Sequence, residues 1–372
     1  MADEVYRRIV PTSHIISLMR KDTFPEGMGE TISNLTYERT APTDAVPTWN
    51  DVVSSLPQQG CLPTPDTIVF GSTARNWNLQ NRSVNGPDFC VENLRTKFAL
   101  EKQLSSLAKI MADYARVEWE IRYRTEYIRL TGTKVVAGGS NPGTVGTGST
   151  FPGTVATSQL TQGMLDYWRM MLLREGAAES SLGNEDGVPI LTLVTSPETS
   201  NSLIFQNADM RQDIRWGKPS LLLAPFGVNR SYKGFYHLND LFAKRYAFSG
   251  GAYSEIPAWV NTAASVGTKS ILSSTWLGAF YEASYIFDPM VMTSRIPKPI
   301  GNAGSGFKFN PVNYMGDFAM LNILDKVCNP RGTILFPNAI FASASEPVAP
   351  ERGVALVHMR CDSAANAILS CT

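Results

Sequence analysis

The sequence predicts an α+β fold, and three observations carry that prediction. Residues 88–130 hold one uninterrupted helical pattern. The stretch before it, Asp22 to Pro87, is rich in Pro, Gly, Thr, Asn and Ser and shows no helical period. From Pro189 onward, short strand-like and helix-like stretches follow one another without a steady βαβ rhythm. With 372 residues, 43% of them hydrophobic, the chain has apolar material for a real core. Length alone suggests about two or three domains.

The first twenty residues carry mixed charge around Ile15, Ile16, Leu18 and Met19. They read equally as an arm packing on another body or as the first element of an ordinary core. Two strands are predicted next, over Thr31 to Arg39 and within Thr67 to Val84, where Ile68, Val69, Phe70, Trp77 and Leu79 cluster. Pro42, Pro47, Pro57, Pro63 and Pro65 punctuate the connection between them. So long an irregular stretch is rare inside a compact domain. An extended hairpin reaching a neighbouring molecule satisfies this physics, because the neighbour supplies the missing burial.

Pro87 and Asp88 stand where a helix start is expected, and no Gly or Pro follows until Gly132. Leu94, Phe98, Leu104, Leu107, Met111, Tyr114, Val117 and Ile121 recur at helical spacing, with charges on the other faces. At 1.5 Å per residue this is a rod of roughly 60 Å. Its aromatic set reads as packing surface, and its basic residues, interleaved with Glu101, Glu118, Glu120 and Glu126, as a solvated face.

Residues 137–153 (AGGSNPGTVGTGSTFPG) read as a flexible loop. A helix capped by Thr157 or Ser158 follows and ends near Gly176. Ile190 to Thr195 is a predicted strand; Pro197 to Trp216 is a predicted helix capped by Ser196. Further strands are predicted around Gly234 to Leu241, Ala279 to Met292, Gly332 to Ser343 and Gly353 to Arg360, with a short helix over Asp317 to Val327.

Candidate chemistry is sparse. Lys+Arg and Asp+Glu both number 33, so no basic excess signals broad nucleic-acid binding. Cys61, Cys90, Cys328, Cys361 and Cys371 are scattered and odd in number, which reads as reduced thiols. Residues 1–21 show no secretory pattern, and no window is apolar enough to span a membrane. His14, His237 and His358 lie far apart without acidic or cysteine neighbours at ligand spacing, and are read as structural. The run Gly301 to Gly306 lacks the Lys-Ser/Thr of a P-loop; Gly138 to Pro142 has proline where a nucleophile elbow needs glycine. Glu185-Asp186 is read as a solvated turn and Asp3-Glu4 as a solvated terminus. No catalytic, cofactor-binding or metal-ligating residue is predicted, and a chain of this size without such a constellation reads as structural, not enzymatic.

The order of parts resembles the major capsid proteins of tailed bacteriophages, the HK97-like fold. Residues 24–31 (FPEGMGET) with Thr36-Tyr37-Glu38-Arg39 resemble the opening of that family's extended loop (E-loop). Asn78-Leu79-Gln80 and residues 87–94 (PDFCVENL) resemble its return into the spine helix, and residues 193–198 (LVTSPE) a strand leading into a helix of the axial domain. The resemblance implies an N-terminal arm (1–21), an E-loop hairpin (22–86), a spine helix of the peripheral domain (87–136), a peripheral-domain loop and helix (137–188), a mainly axial domain (189–345) and C-terminal strands returning to the peripheral domain (346–372). It implies self-assembly into hexamers and pentamers of an icosahedral virion shell, built in the bacterial cytoplasm around double-stranded DNA held without sequence-specific contacts. Portal, scaffolding and decoration (cement) proteins are the implied partners; no membrane is involved. The lysine–asparagine cross-link of some members is not expected, because no lysine follows Lys21 in the E-loop. A cleaved scaffold segment ahead of that loop is not expected either; a separate scaffolding protein, or none, is the expectation.

Two other readings stay open. One is another virion or scaffold protein using the long helix for homotypic assembly, although its stripe is interrupted by Glu101 and Glu118 and continues only about three heptads. The other is an α+β enzyme relying on Asp or Glu without His.

Overall fold

The computed structural model describes residues 20–24, 31–37, 72–78, 80–85, 89–90, 102, 106, 121–139, 141–177, 184–185, 188–206, 231–232, 234–258, 272–297, 320–323 and 334–360. The strands are β1 (Arg20–Phe24), β2 (Thr31–Tyr37), β3 (Ser72–Asn78), β4 (Gln80–Asn85), β5 (Phe89–Cys90), β6 (Thr133–Val136), β7 (Thr144–Thr147), β8 (Asn184–Glu185), β9 (Val188–Pro189), β10 (Leu191–Thr195), β11 (Ser231–Tyr232), β12 (Phe235–Asn239), β13 (Arg245–Ser249), β14 (Ala252–Ile256), β15 (Tyr281–Phe287), β16 (Met292–Pro297), β17 (Met320–Ile323), β18 (Ile334–Pro347) and β19 (Gly353–Met359). The helices are α1 (residues 121–130), α2 (Gln162–Leu172), α3 (Pro197–Gln206) and α4 (Ser274–Leu277).

The chain divides into two compact units, one of Met1–Glu26 with Gln80–Thr372 and one of Gly27–Leu79. The described part of the smaller unit is an antiparallel hairpin, with β2 and β3 in register from Thr31 opposite Asn78 to Tyr37 opposite Ser72.

The larger unit holds two principal sheets. In the first, nine strands include the path β11-β12-β10-β15-β19-β6-β7, and β13 shares an edge of β15 with β10. Alternation along its strands gives the sheet two buried faces. Leu191, Leu193, Ile286, Val354, Leu356 and Val135 pack with Met164, Leu165, Trp168 and Leu172 of α2. The alternate residues Tyr285 and Phe287 meet Tyr127 of α1, with ring centroids 5.5 and 4.4 Å apart. In the second sheet, β18 is the shared partner. Residues 335–338 pair with β17, 338–343 with β4, 344–347 with β16 and 334–335 with β5, while β1 runs parallel to β16.

The α+β class is as expected. Of the predicted long helix, residues 102, 106 and 121–130 are described and helical. Its start differs: Phe89 and Cys90 are strand, because their backbone pairs with Leu335 and Ile334. The helix expected over 317–327 is replaced by β17 at 320–323, held by a four-residue ladder to β18. Short apolar runs suit either structure, and here the ladder decides. The α2 cap is Thr161, whose side chain accepts from Met164 N at 3.4 Å, not Thr157 or Ser158. Those two residues are committed elsewhere, Thr157 N to Ala137 O and Ser158 Oγ to Gly138 O. Ser196 caps α3 as expected, accepting from Thr199 N at 3.2 Å. The strand expected over 279–292 is two strands, because Asp288 turns the chain through Met290 N and Val291 N.

Several elements differ from expectation, among them α4 and β6, the latter a strand at 133–136 where the spine helix was expected to run to 136 and made one by its ladder to β19. Part of the predicted loop 137–153 is β7, antiparallel to β6. The hairpin β13–β14 turns at Gly250 and Gly251, both at positive φ (60° and 78°), the two-residue geometry that glycine permits. Tyr253 fastens this hairpin to residues 151–156: its hydroxyl donates to Thr154 O (2.9 Å) and accepts from Ala156 N (2.8 Å). Phe151 packs edge-on against Tyr246 and Tyr253.

Candidate functional site

Among the described residues, a dense group of ionisable side chains surrounds Glu282 of β15, at the point where β15, β13, β19 and the start of α3 meet. Alternation puts Glu282 and Ser284 on one face of β15, and both are completely buried. Glu282 Oε1 accepts from Ser196 Oγ at 2.6 Å and from the Thr199 hydroxyl, so one carboxylate oxygen ties the first turn of α3 to the sheet. Its other oxygen faces Arg360 Nε at 3.8 Å and Arg245 Nε at 4.0 Å. Arg245 also stacks over Trp276 (3.7 Å to the ring centroid) and donates to its carbonyl at 3.0 Å; Glu198 lies 3.6 Å away. Arg360 donates to Leu277 O and Ala279 O at 3.0 and 2.9 Å.

His358 borders this network, 4.0 Å from Glu282 Oε1. Its Nδ1 lies 3.0 Å from Met359 O. A carbonyl only accepts, so Nδ1 carries the proton of the neutral ring and Nε2 accepts from the Ser284 hydroxyl at 2.8 Å. Complete burial, opposed by Glu282 and the Met359 carbonyl, holds the imidazole below its ordinary range. With Glu282 and His358 closed to solvent, this network fastens strands and a helix together and offers no surface to a substrate.

A second buried pair joins α1 to the turn after β12. Arg124 binds Asp240, which also accepts from Tyr285 Oη at 3.2 Å and Phe242 N at 2.9 Å. Burial and the Asp240 carboxylate push the Tyr285 hydroxyl well above the usual phenol range. Lys134 of β6 is also buried and donates to Thr131 O just beyond α1, a cation at a helix C-terminus. Desolvation lowers its ammonium to about 8.

Two of the three histidines read as structural lie among the described residues. His237 of β12 contacts Thr195 Oγ1 at 2.5 Å across parallel strands, and His358 sits as above. His14, the Gly301 to Gly306 run, Asp3-Glu4, Asp186 and four of the five cysteines lie outside the described residues, while Cys90 is in β5 and Glu185 in β8. Of Gly138 to Pro142, Ser140 lies outside the described residues, the Asn141–Pro142 peptide is cis, and Pro142 O accepts from Trp168 Nε1 at 3.1 Å. Among the described residues no group of His, Cys, Asp and Glu could hold a metal ion, and no helix is long and apolar enough to cross a membrane. Sequence reading missed Glu282, Arg245, Arg360, Asp240 and Lys134. The available signal was charge inside apolar strand patterns, as in residues 281–287 (YEASYIF) and 133–136 (TKVV).

No family model and no curated protein sequence matches the chain. Solved structures are similar to it along most of its length. The capsid of Ralstonia phage GP4 is 10% identical, with 92% of this chain and 87% of that one covered and a TM-score of 0.48. The capsid of Helicobacter pylori bacteriophage KHP30 is 9% identical, covering 94% and 91%, at 0.47. The capsid asymmetric unit of cyanophage Pam1 is 12% identical, covering 96% and 92%, at 0.45.

Proposed function

We propose that this chain is the major capsid protein of a tailed bacteriophage, with an HK97-like fold, and that its copies form the hexamers and pentamers of an icosahedral shell around double-stranded DNA. The observation that carries the reading is the unit Gly27–Leu79. The flanking strands β1 and β4 both belong to the β18 sheet, while the residues between them form a unit of their own. The described part of that unit is a lone two-stranded ladder, and an isolated hairpin is marginal in water. On this reading a neighbouring copy packs against the hairpin and stabilises it. The buried charge network supports the same reading, since it braces the fold instead of serving a reaction. On this reading the β18 sheet belongs to the peripheral domain and the nine-stranded sheet to the axial domain. The proposed division then puts 334–347, which pair with β4, β5, β16 and β17, in the peripheral domain and 353–359, which pair with β15 and β6, in the axial domain, in place of the expected boundary at residue 345. Portal, scaffolding or cement proteins are the further partners, and balanced charge suits DNA enclosed without sequence-specific contacts.

The test is assembly. Purified full-length protein forms capsomers or shells by gel filtration and negative-stain microscopy, and deletion of Thr40 to Pro65 abolishes them while circular dichroism and the melting transition persist. Small monodisperse species at every salt concentration, or a deletion variant that fails to fold, would overturn the proposal.

A further inference from the structure

One part of the surface is anomalous in its charge. The chain is 18% charged, yet residues 135–165 contain no Asp, Glu, Lys, Arg or His. Nor does the hairpin segment 246–254. These two stretches, far apart in sequence, are joined by the Tyr253 hydrogen bonds to Thr154 and Ala156 and by the Phe151 ring contacts. Their backbones touch as well: a Cβ on Gly153 would lie 2.6 Å from Gly251 O. Much of the combined surface is open to solvent. Val145 and Val155 are 46% and 45% exposed, and Thr150, Ser249 and Ala252 are exposed too. A solvated surface ordinarily gathers charge, whereas the core of a protein–protein interface is depleted of it.

We infer that this uncharged pad, loop 148–157 with the tip of the β13–β14 hairpin, is where the chain meets further copies of itself around a symmetry axis. The inference rests on the shell reading and adds which surface lines the axis. Its logic is electrostatic. Near a rotation axis identical residues of successive copies approach one another, so any charge there faces the same charge. Like charges brought together across an interface are strongly unfavourable. A surface at an axis is best served by small neutral side chains, and the pad offers threonine, serine, glycine, alanine and valine. A partner of different sequence imposes no such condition, because its charges can complement those of this chain. Continuity between the two segments matters here: either alone is a neutral loop, but together they form one neutral face.

The test places charge on the pad of the full-length protein. Val155→Lys and, separately, Ser249→Lys change exposed side chains and should melt as the wild type does. Each should lower the yield of capsomers and shells at least tenfold, while Met170→Lys, at an exposed position on α2 outside the pad, leaves the yield unchanged. Mixing Val155→Lys with Val155→Asp protein should restore assembly, since most lysines then have an aspartate neighbour around the axis. If the pad variants assemble as well as wild type, or if the Lys and Asp variants fail when mixed, the pad assignment is overturned and the shell reading stands. Wild-type protein that never assembles overturns both.

Discussion

Replacing Glu282 by Gln removes one charge from the centre of the buried network and almost no volume. The carboxylate is fully buried, with Arg360 and Arg245 at 3.8 and 4.0 Å. Removing one partner of a buried ion pair costs about 3–5 kcal/mol, because the other charge is left without compensation. Two features place the expected loss near the lower end. Arg360 keeps its bonds to Leu277 O and Ala279 O, and Arg245 keeps Trp276 and Glu198. Gln also retains an acceptor oxygen for Ser196 and Thr199. A loss of about 3 kcal/mol is expected in guanidinium unfolding followed by tryptophan fluorescence, to which Trp276 beneath Arg245 contributes directly. A loss below about 1 kcal/mol would be no more than an ordinary hydrogen bond is worth, and would refute the view that the Glu282 charge offsets the two guanidinium groups.

Three further outcomes follow, one at His358 and two at the β13–β14 hairpin. His358 is held below the ordinary 6.5, so the unfolded chain takes up its proton first; its contribution to stability is intact above pH 6.5 and is lost as pH falls through that value toward the folded one. Unfolding midpoints measured from pH 8 to pH 5 should therefore fall less steeply in His358→Gln than in wild type, and parallel curves would remove His358 from the acid response. At the hairpin, Gly251→Ala puts a Cβ at φ +78° with nothing within 4 Å, so its cost is conformational alone, about 1–2 kcal/mol by thermal melting. Gly153→Ala drives a Cβ into Gly251 O instead, and should cost more and loosen the Tyr253 contacts, visible as faster amide exchange at Ala156.

Much of the fold was legible because period and punctuation agree with the tertiary structure. Ser196 followed by Pro197 marks the start of α3, and the apolar runs over β10, β12 and β19 are the buried strands of one sheet. What was missed depends on distant partners. Met320 to Ile323 carries no local mark of a strand; the ladder from β18 makes it one. Phe89 and Cys90 likewise take their conformation from Leu335 and Ile334. The β13–β14 hairpin is a different case, since Gly250-Gly251 between alternating aromatics is a local signal open to sequence reading. Glu282 and its partners could not be paired from sequence, because α3, β13, β15 and β19 come together only in the folded chain.

The pairings of β18 also set a timetable. Val84 lies opposite Ala339 and Phe89 opposite Leu335, while β6 waits for Val354 to Val357. A chain emerging from the ribosome therefore exposes β4, β5 and β6 long before their partners exist, and contacts this far apart in sequence make folding slow. Nascent chains carry open strand edges through much of synthesis, the condition under which aggregation competes with folding. Yield in a host cell should accordingly be governed less by the stability of the finished protein than by how well those edges are shielded while translation proceeds.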